Sequence, residues 1–339
     1  MSPNHRSRTA GRLAHFDEEL EKAETIRQSA IETLGNFLEK LAQNQDVSLD
    51  KIQQEANAIS QSIQRNRDTL PSLTRFKEND AYSTTHSVNI ALLVTAMALA
   101  NGSDPSALTS IATASLLHNV GKVRLPAELL GKKDVFAAVE NETMRQHVDH
   151  GEKLIREMGD FPEGALTIVV QHHERADGSG YPAALQGDQI HLLARLAAAA
   201  DVYNALTTAK PYRPALTMHE ALLHLYKNKG GEFAAEAVGC LIDVLGPCPV
   251  GSLIELKNWE RGLVLEPNPE DPLRPLVGLI TRPSQEYRDI PTIVDLAGQV
   301  GQEGMEIVKV LDPVRVGMDD TQWMATIKAQ AERIDTKKR

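Results

Sequence analysis

The chain has 339 residues and a net charge of −10, so it is long enough for two domains around a buried core. Aromatic residues make up only 4% of it, which together with the acidic balance argues against nucleic-acid binding. The two cysteines, Cys240 and Cys248, match no metal-ligand spacing and are typical of a reducing compartment. The apolar run Ile90–Ala100 is too short to span a membrane, and the N-terminus lacks the apolar core of a signal peptide. We therefore expect a cytoplasmic protein with neither nucleic-acid nor membrane partners.

The N-terminal region divides into a tail and a helical segment. Residues 1–12 are basic and polar, which predicts a disordered tail. Apolar residues recur at spacings of three and four through residues 13–65, which predicts two amphipathic helices, the second beginning after Ser48 as N-cap. Two interpretations stay open for this segment: the helices pack on the main core, or they form a coiled-coil seam for a homodimer or a signal relay.

Residues 66–245 show helical periodicity and almost no strand pattern, which predicts an all-α core. Helices are expected at about 82–100, 106–117, 134–158, 161–173, 189–206 and 217–226. After Gly246 the composition changes to short β-like runs between clusters of Pro, Asn, Asp and Gly. These runs lie at 252–256, 262–266, 276–280 and 307–311. We expect a small β-rich appendage over residues 246–312 and a C-terminal tail over 313–339.

The most informative stretch is 172–182, His-His-Glu-Arg-Ala-Asp-Gly-Ser-Gly-Tyr-Pro. Two adjacent imidazoles close an apolar run there, and neutral imidazole is the commonest protein ligand for transition metals. The glycines that follow permit a tight turn in which backbone approaches a ligand closely.

Other candidate ligands stand at expected helices or helix ends. His86, His118 and His147 have motif-like neighbours, and Asp201 follows four alanines, where a carboxylate is costly unless paired or bound to metal. Alone, His86 is equally compatible with a core histidine, Asp201 with an ordinary ion pair and His147 with a surface residue. Together with His172 and His173, they suit a two-metal site of Fe, Mn or another transition metal, which can clamp a phosphate ester for attack by hydroxide.

Three motifs, at 118–122, 172–182 and 201–213, together resemble the HD-GYP family, and the resemblance spans roughly residues 70–312. Members of that family are all-α, metal-dependent phosphodiesterases that linearise bacterial cyclic di-GMP, often continuing to the mononucleotide. The resemblance therefore implies an HD-type helical core, two divalent metal ions and a cyclic dinucleotide substrate.

The resemblance also implies residue roles. The implied metal ligands are His86, His118, Asn119, His147, His172, His173 and Asp201. Lys122, Lys210 and Arg213 would bind substrate phosphates, with Lys122 and Asn119 acting in catalysis. The loop residues Gly178, Gly180, Tyr181 and Pro182 would contact a partner such as a diguanylate cyclase domain.

Four positions depart from the family pattern. Asn119 replaces an Asp, so a neutral amide with one good ligand oxygen stands where a bridging carboxylate is usual. Lys210 replaces an Arg and loses its fork geometry. Tyr82 occupies the place of an additional acidic ligand, which argues against a third metal, and Asn204 replaces a frequent Asp.

Three hypotheses follow from these patterns. The first is a di-metal phosphodiesterase acting on cyclic di-GMP, with activity impaired by Asn119. The second is a degenerate module that binds nucleotide or a partner protein without turnover. The third is a general nucleotide phosphohydrolase of the broader HD class, against which the Gly-Tyr-Pro motif argues. The sequence leaves open the metal's identity, the end product, other cyclic dinucleotides and the input signal.

Overall fold

The computed structural model describes residues 3–66, 82–132, 134–159, 161–209, 213–268, 270–313 and 315–318, with side chains from residue 21 onward except that of Tyr82. The chain forms two compact units. One contains residues 23–216 and 221–244 and is helical; the other contains the C-terminal sheet.

Helices dominate the described chain up to Leu245, which confirms the expected all-α core. The α-helices are α1 (Pro3–Ala42), α2 (Asp50–Arg65), α3 (Tyr82–Ala100), α4 (Leu108–Leu117), α5 (Ala127–Leu130), α6 (Ala138–Arg145), α7 (His147–Glu157), α8 (Glu163–Gln171), α9 (Leu192–Leu206), α10 (Met218–Lys227) and α11 (Ala235–Leu245). Short 3-10 turns lie at Pro105–Ala107, Val120–Arg124, Gly187–Gln189 and Leu296–Gln299.

The first helix begins earlier than its composition indicates. Its backbone is helical from Pro3, whereas residues 1–12 were expected to form a disordered tail. Proline is well suited to the first turn of a helix, because its missing N–H is not needed there. The second helix begins at Asp50, so its N-cap is Leu49 and not Ser48 as predicted. The Ser48 hydroxyl, one position earlier, accepts a hydrogen bond of 3.1 Å from the Asp50 amide.

The apolar faces of α1 and α2 are buried within the chain. Leu34 and Ile59 are fully buried, and the Ser29 and Thr33 hydroxyls of α1 donate to Glu55 of α2 at 2.8 and 3.1 Å. Burial of this face within one chain is what the core-packing interpretation predicts.

The helix α3 supplies the centre of the helical unit. Its segment Ser83–Ala100 is long and apolar enough to cross a membrane by composition alone, but 78% of that segment is buried inside the protein. It packs against α4 and α9, so its apolar residues belong to the protein core.

The single helix expected at 134–158 is two helices, α6 and α7. The first starts only at Ala138, where the Glu140 carboxylate accepts a hydrogen bond of 2.6 Å from the Ala137 amide. The two helices meet at Gln146, which keeps helical dihedral angles, so the break is a tight turn. This break makes His147 the first residue of α7.

The C-terminal sheet is antiparallel, with strand order β4-β3-β2-β1-β5. Its strands are β1 (Leu253–Leu256), β2 (Arg261–Glu266), β3 (Leu276–Thr281), β4 (Tyr287–Asp295) and β5 (Ile307–Leu311). The strand β4 was not expected, because Pro291 and several charged residues interrupt its pattern. It lies at the edge of the sheet, where a proline costs no ladder hydrogen bond.

Candidate metal centre

The structure gathers the six predicted imidazole and carboxylate ligands into two clusters, both in the helical unit. In the first cluster, ligand nitrogen atoms of His147, His172 and His173 lie within 4.8 Å of one another. In the second cluster, ligand nitrogen atoms of His86 and His118 and a carboxylate oxygen of Asp201 lie within the same distance of one another. The clusters adjoin, because the ring centroids of His118 and His172 are 5.0 Å apart. This arrangement offers two neighbouring metal positions.

The ends of several helices bring these side chains together. His118 and His172 are the residues that cap the C-termini of α4 and α8, and His147 opens α7. His86 lies on α3 and Asp201 on α9, two helices that pack against each other. The apolar side chains of these helices pack into the core, and the polar candidate ligands lie together at one place.

Backbone carbonyls fix the ring orientation of three histidines. The Nδ1 atoms of His118, His147 and His172 lie 2.7, 2.6 and 3.0 Å from the carbonyl oxygens of Ser115, Met144 and Ile168, respectively. A carbonyl oxygen can only accept, so Nδ1 carries the proton and Nε2 keeps its lone pair. Metal-binding histidines are held in the same way, by a hydrogen bond from the second ring nitrogen.

Three buried atoms in the clusters lack a hydrogen-bond partner: Nε2 of His147, Nε2 of His172 and Oδ1 of Asn119. An unpaired polar atom in the interior is costly, and a cation would satisfy all three. Burial lowers the pKa of His147 to about 4 and that of His172 to about 3, so both are neutral at pH 7. Neutral imidazole is the form that binds metal, so the residues present fit transition-metal ions.

Asp201 supplies negative charge to the second cluster. Its Oδ1 lies 3.1 Å from Nε2 of His86. Burial raises the pKa of Asp201, but the hydrogen bond from His86 and the neighbouring histidines outweigh it and hold that pKa well below its usual range. The carboxylate is therefore ionised and can serve as a ligand.

Asn119 lies directly against the second cluster. Its Nδ2 is 2.7 Å from Nε2 of His118, and rotating the amide by half a turn would present Oδ1 at the same place. The nitrogen and the oxygen of an amide occupy nearly equivalent positions. Asn119 can thus offer one neutral oxygen to a metal beside His118.

The turn that carries Lys122 packs closely on α7. A Cβ atom added to Gly121 would lie 1.9 Å from the carbonyl oxygen of His147, so only glycine fits. Lys122 is half-buried. The pKa of His147 is lowered first by the burial of His147 itself and second by the positive charge of Lys122. The positive charge of Lys122 also lowers the pKa of His172, so it acts on the histidine clusters.

The loop that follows His173 turns its tyrosine inward. The ring of Tyr181 stacks on that of His173, with centroids 4.6 Å apart, and the guanidinium of Arg145 lies 4.8 Å from the tyrosine ring centroid. Pro182 and Ser179 are exposed. Of the residues expected to contact a partner, Tyr181 thus also contacts a candidate metal ligand.

Glu174 holds this loop together, and the sequence analysis did not single it out. It is 1% exposed, and its two carboxylate oxygens accept hydrogen bonds from the amides of Ala183 and Leu185 at 2.7 and 3.0 Å. The available signal was its position directly after the histidine pair, where a buried carboxylate needs partners.

A second pair of residues supports His86. The Nδ2 of Asn204 lies 2.7 Å from Nδ1 of His86, and Nδ2 of Asn89 donates to Oδ1 of Asn204 at 3.2 Å. Asn89 is three residues after His86 and shares its helix face, a spacing that could have identified it.

The two remaining phosphate-binding candidates are less informative. Lys210 lies outside the described residues. Arg213 is half-buried and donates a hydrogen bond of 2.7 Å to the carbonyl oxygen of Ala205, one helical turn after Asp201. This hydrogen bond to Ala205 shows that the Arg213 side chain lies at the C-terminal end of α9.

Comparison with known proteins agrees with this architecture. The HD domain family profile matches residues 36–236. The chain is 32% identical over 244 residues to "Cyclic di-GMP phosphodiesterase PA4108" of Pseudomonas aeruginosa, covering 72% of this chain and 58% of that protein. It is also 32% identical over 213 residues to "Cyclic di-GMP phosphodiesterase response regulator RpfG" of Xanthomonas campestris, covering 61% of this chain and 56% of that protein. The matches thus span little more than half the length of these relatives.

A solved structure shows the same fold. It is Bd1817 from Bdellovibrio bacteriovorus, described as an HDG"Y"P protein, which matches with a TM-score of 0.55 at 21% identity. The match covers 66% of this chain and 71% of that one. These findings agree with the HD-GYP resemblance of the three sequence motifs, and the chain belongs to the HD domain family.

Proposed function

We propose that this protein is a di-metal phosphodiesterase that hydrolyses cyclic di-GMP to the linear dinucleotide, with GMP as a further product. The observation that carries the proposal is the pair of adjoining ligand clusters with buried, unpartnered Nε2 atoms on His147 and His172. The names of the relatives support the choice of cyclic di-GMP as substrate.

Two ions would be held by the two clusters. His147, His172 and His173 would bind one, and His86, His118 and Asp201 the other, with the amide oxygen of Asn119 as an additional ligand. Imidazole nitrogens with one carboxylate favour Fe or Mn among the metals that act on phosphate esters. When bound, such ions neutralise phosphate charge and lower the pKa of water.

The chain's own residues would orient the substrate and stabilise charge. Lys122, which is half-buried and whose charge acts on His147, would offset the negative charge that develops on the phosphate. Arg213 and Lys210 would bind the substrate phosphates. Tyr181 covers one face of His173 and would keep that ring in place.

One observation favours a second candidate function, a module that binds nucleotide or a partner without turnover. With Asn119 in place of a carboxylate, Asp201 is the one anionic group among the candidate ligands, so two divalent ions would be poorly compensated. The exposed Pro182 beside Gly178 and Gly180 supports a partner contact, such as with a diguanylate cyclase domain. A cytoplasmic location belongs to both candidate functions.

The test is a hydrolysis assay on protein loaded with Mn²⁺ or Fe²⁺. We expect conversion of cyclic di-GMP to the linear dinucleotide, loss of that activity in protein stripped with EDTA, and loss in His172→Ala. GTP should be a poor substrate, because the proposal assigns the site to a cyclic dinucleotide rather than to nucleotides in general. Equal rates with and without metal would overturn the proposal, and faster turnover of GTP would favour a general phosphohydrolase.

A further inference from the structure

We propose that Asn204, supported by Asn89, is a positioning residue for His86: its amide can hold the ring in either tautomer, and once reversed it holds the proton on Nδ1, which leaves Nε2 of His86 to bind metal. The inference rests on the di-metal site proposed above, and it adds a role for two amides that the ligand set does not include.

The three side chains form a buried chain of hydrogen bonds. Asn89 and Asn204 are each 1% exposed, and His86 is also buried. The amide nitrogen of Asn89 donates to Oδ1 of Asn204 at 3.2 Å, and the amide nitrogen of Asn204 lies 2.7 Å from Nδ1 of His86. On the far side of the ring, Nε2 lies 3.1 Å from Oδ1 of Asp201.

This arrangement sets the tautomer of His86. In a neutral ring whose Nδ1 accepts from the Asn204 amide, the lone pair is on Nδ1 and the single proton is on Nε2. The proton then points at the carboxylate of Asp201. In this tautomer Nε2 cannot bind a metal, although it lies at the second ligand cluster.

Reversing the two amides gives the other tautomer. An amide presents a donor and an acceptor at nearly equivalent positions, so half a turn of each side chain keeps the chain of hydrogen bonds with opposite direction. Asn204 then donates to Asn89 and accepts from Nδ1 of His86. The ring still carries one proton, now on Nδ1, and the Nε2 lone pair faces the metal position beside Asp201.

His86 differs in this respect from three other candidate ligands. His118, His147 and His172 each place Nδ1 against a backbone carbonyl, which accepts only and so holds the proton there permanently. The partner of His86 is an amide, which serves either tautomer. Among these four histidines, His86 is therefore the one whose metal-binding form depends on side chains that can turn.

The first test is metal affinity, measured by titration with Mn²⁺ and by metal content per chain. In Asn204→Leu, which keeps the volume but not the hydrogen bond, we expect the affinity of one of two ions to fall about 10- to 100-fold and the other to be unchanged. Asn204→Asp can only accept from Nδ1 of His86, so it should bind both ions at least as tightly as the wild type. Thr208→Val is the matched control, because Thr208 bonds the backbone oxygen of Asn204 at 2.7 Å and leaves the amide intact.

The outcomes separate this inference from the proposed function. A wild type that binds fewer than two ions would refute the di-metal site itself. A wild type with two ions and a folded Asn204→Leu variant with both affinities unchanged would refute the positioning role alone. Equal weakening in Asn204→Asp and Asn204→Leu would point to packing and would also overturn it.

A second measurement needs no change to Asn204. In protein with ¹⁵N-labelled histidine, NMR reports which ring nitrogen carries the proton, with the His86 signals assigned by their absence in His86→Gln. We expect the proton on Nε2 without metal and on Nδ1 after Zn²⁺ is added. A proton on Nδ1 in both states would contradict the amide reversal.

Discussion

Tyr181 stacks on His173 with the two ring planes 21° from parallel and their centroids 4.6 Å apart. Such contacts are worth about 0.5 to 1.5 kcal/mol. We expect Tyr181→Ala to weaken binding of the ion held by His147, His172 and His173 by about 2- to 10-fold, because the His173 ring loses its support. Tyr181→Phe keeps the stack and should bind metal as the wild type does. A metal titration in which Phe is as damaging as Ala would show that the hydroxyl, not the stack, matters.

Glu174 should be a strong determinant of loop stability. In Glu174→Gln one of the amides of Ala183 and Leu185 would face an NH2 group instead of an oxygen. We expect the free energy of unfolding to fall by about 1 to 3 kcal/mol, measured by urea denaturation. Asp177→Asn is the matched control in the same loop, because its carboxylate is exposed and accepts hydrogen bonds from the amide and hydroxyl of Ser179, and its cost should be smaller. Equal losses in the two variants would contradict the anchoring role.

Gly121→Ala should disrupt the candidate site through the backbone. The added Cβ would lie 1.9 Å from the carbonyl oxygen of His147 and 2.4 Å from the amide nitrogen of Gly151, so the turn carrying Lys122 must move away from α7. We expect at least about tenfold weaker metal binding, since the turn adjoins both His118 and His147. The control is Gly131→Ala, whose Cβ would meet its nearest atom at 3.5 Å. Retention of metal at wild-type affinity in Gly121→Ala would show that the turn can shift without cost.

The buried histidines should make the metal-free protein sensitive to acid. In the folded state the pKa values of His147 and His172 are about 4 and about 3, below the ordinary value of 6.5. Between pH 6.5 and about 4 the unfolded chain therefore binds protons that the folded chain does not, and stability falls as the pH falls. At pH 5 each of the two costs about 2 kcal/mol relative to pH 8.

Urea denaturation of EDTA-treated protein at pH 5 and pH 8 measures this effect. His172→Gln removes one of the two groups, so its stability should change less between the two pH values than that of the wild type. An identical pH dependence in wild type and variant would show that His172 is not the source.

The sequence predicts those parts of the site that follow from local patterns, namely the helices and the residues at their ends. Helical periodicity predicts the helices, and the position of His118, His172 and Asp201 at or near helix ends predicts that they meet. The contacts of Asn89 with Asn204 and of Glu174 with Ala183 depend on tertiary packing, so local spacing indicates Asn89 and Glu174 as candidates but does not indicate their partners. The break before His147 was missed because Gln146 keeps helical dihedral angles and no proline or glycine marks the break. The strand β4 was missed because an edge position tolerates Pro291.

The most direct test of the proposed activity compares the wild type with Asn119→Asp at equal bound metal. The Asn119 oxygen can serve as a ligand, so we expect the wild type to produce linear dinucleotide from cyclic di-GMP. Asn119→Asp restores a negative charge beside His118 and should be faster by about tenfold or more. A wild type that yields no product, beside an active Asn119→Asp variant, would contradict the proposal and identify a binding module in which the phosphodiesterase site is disabled.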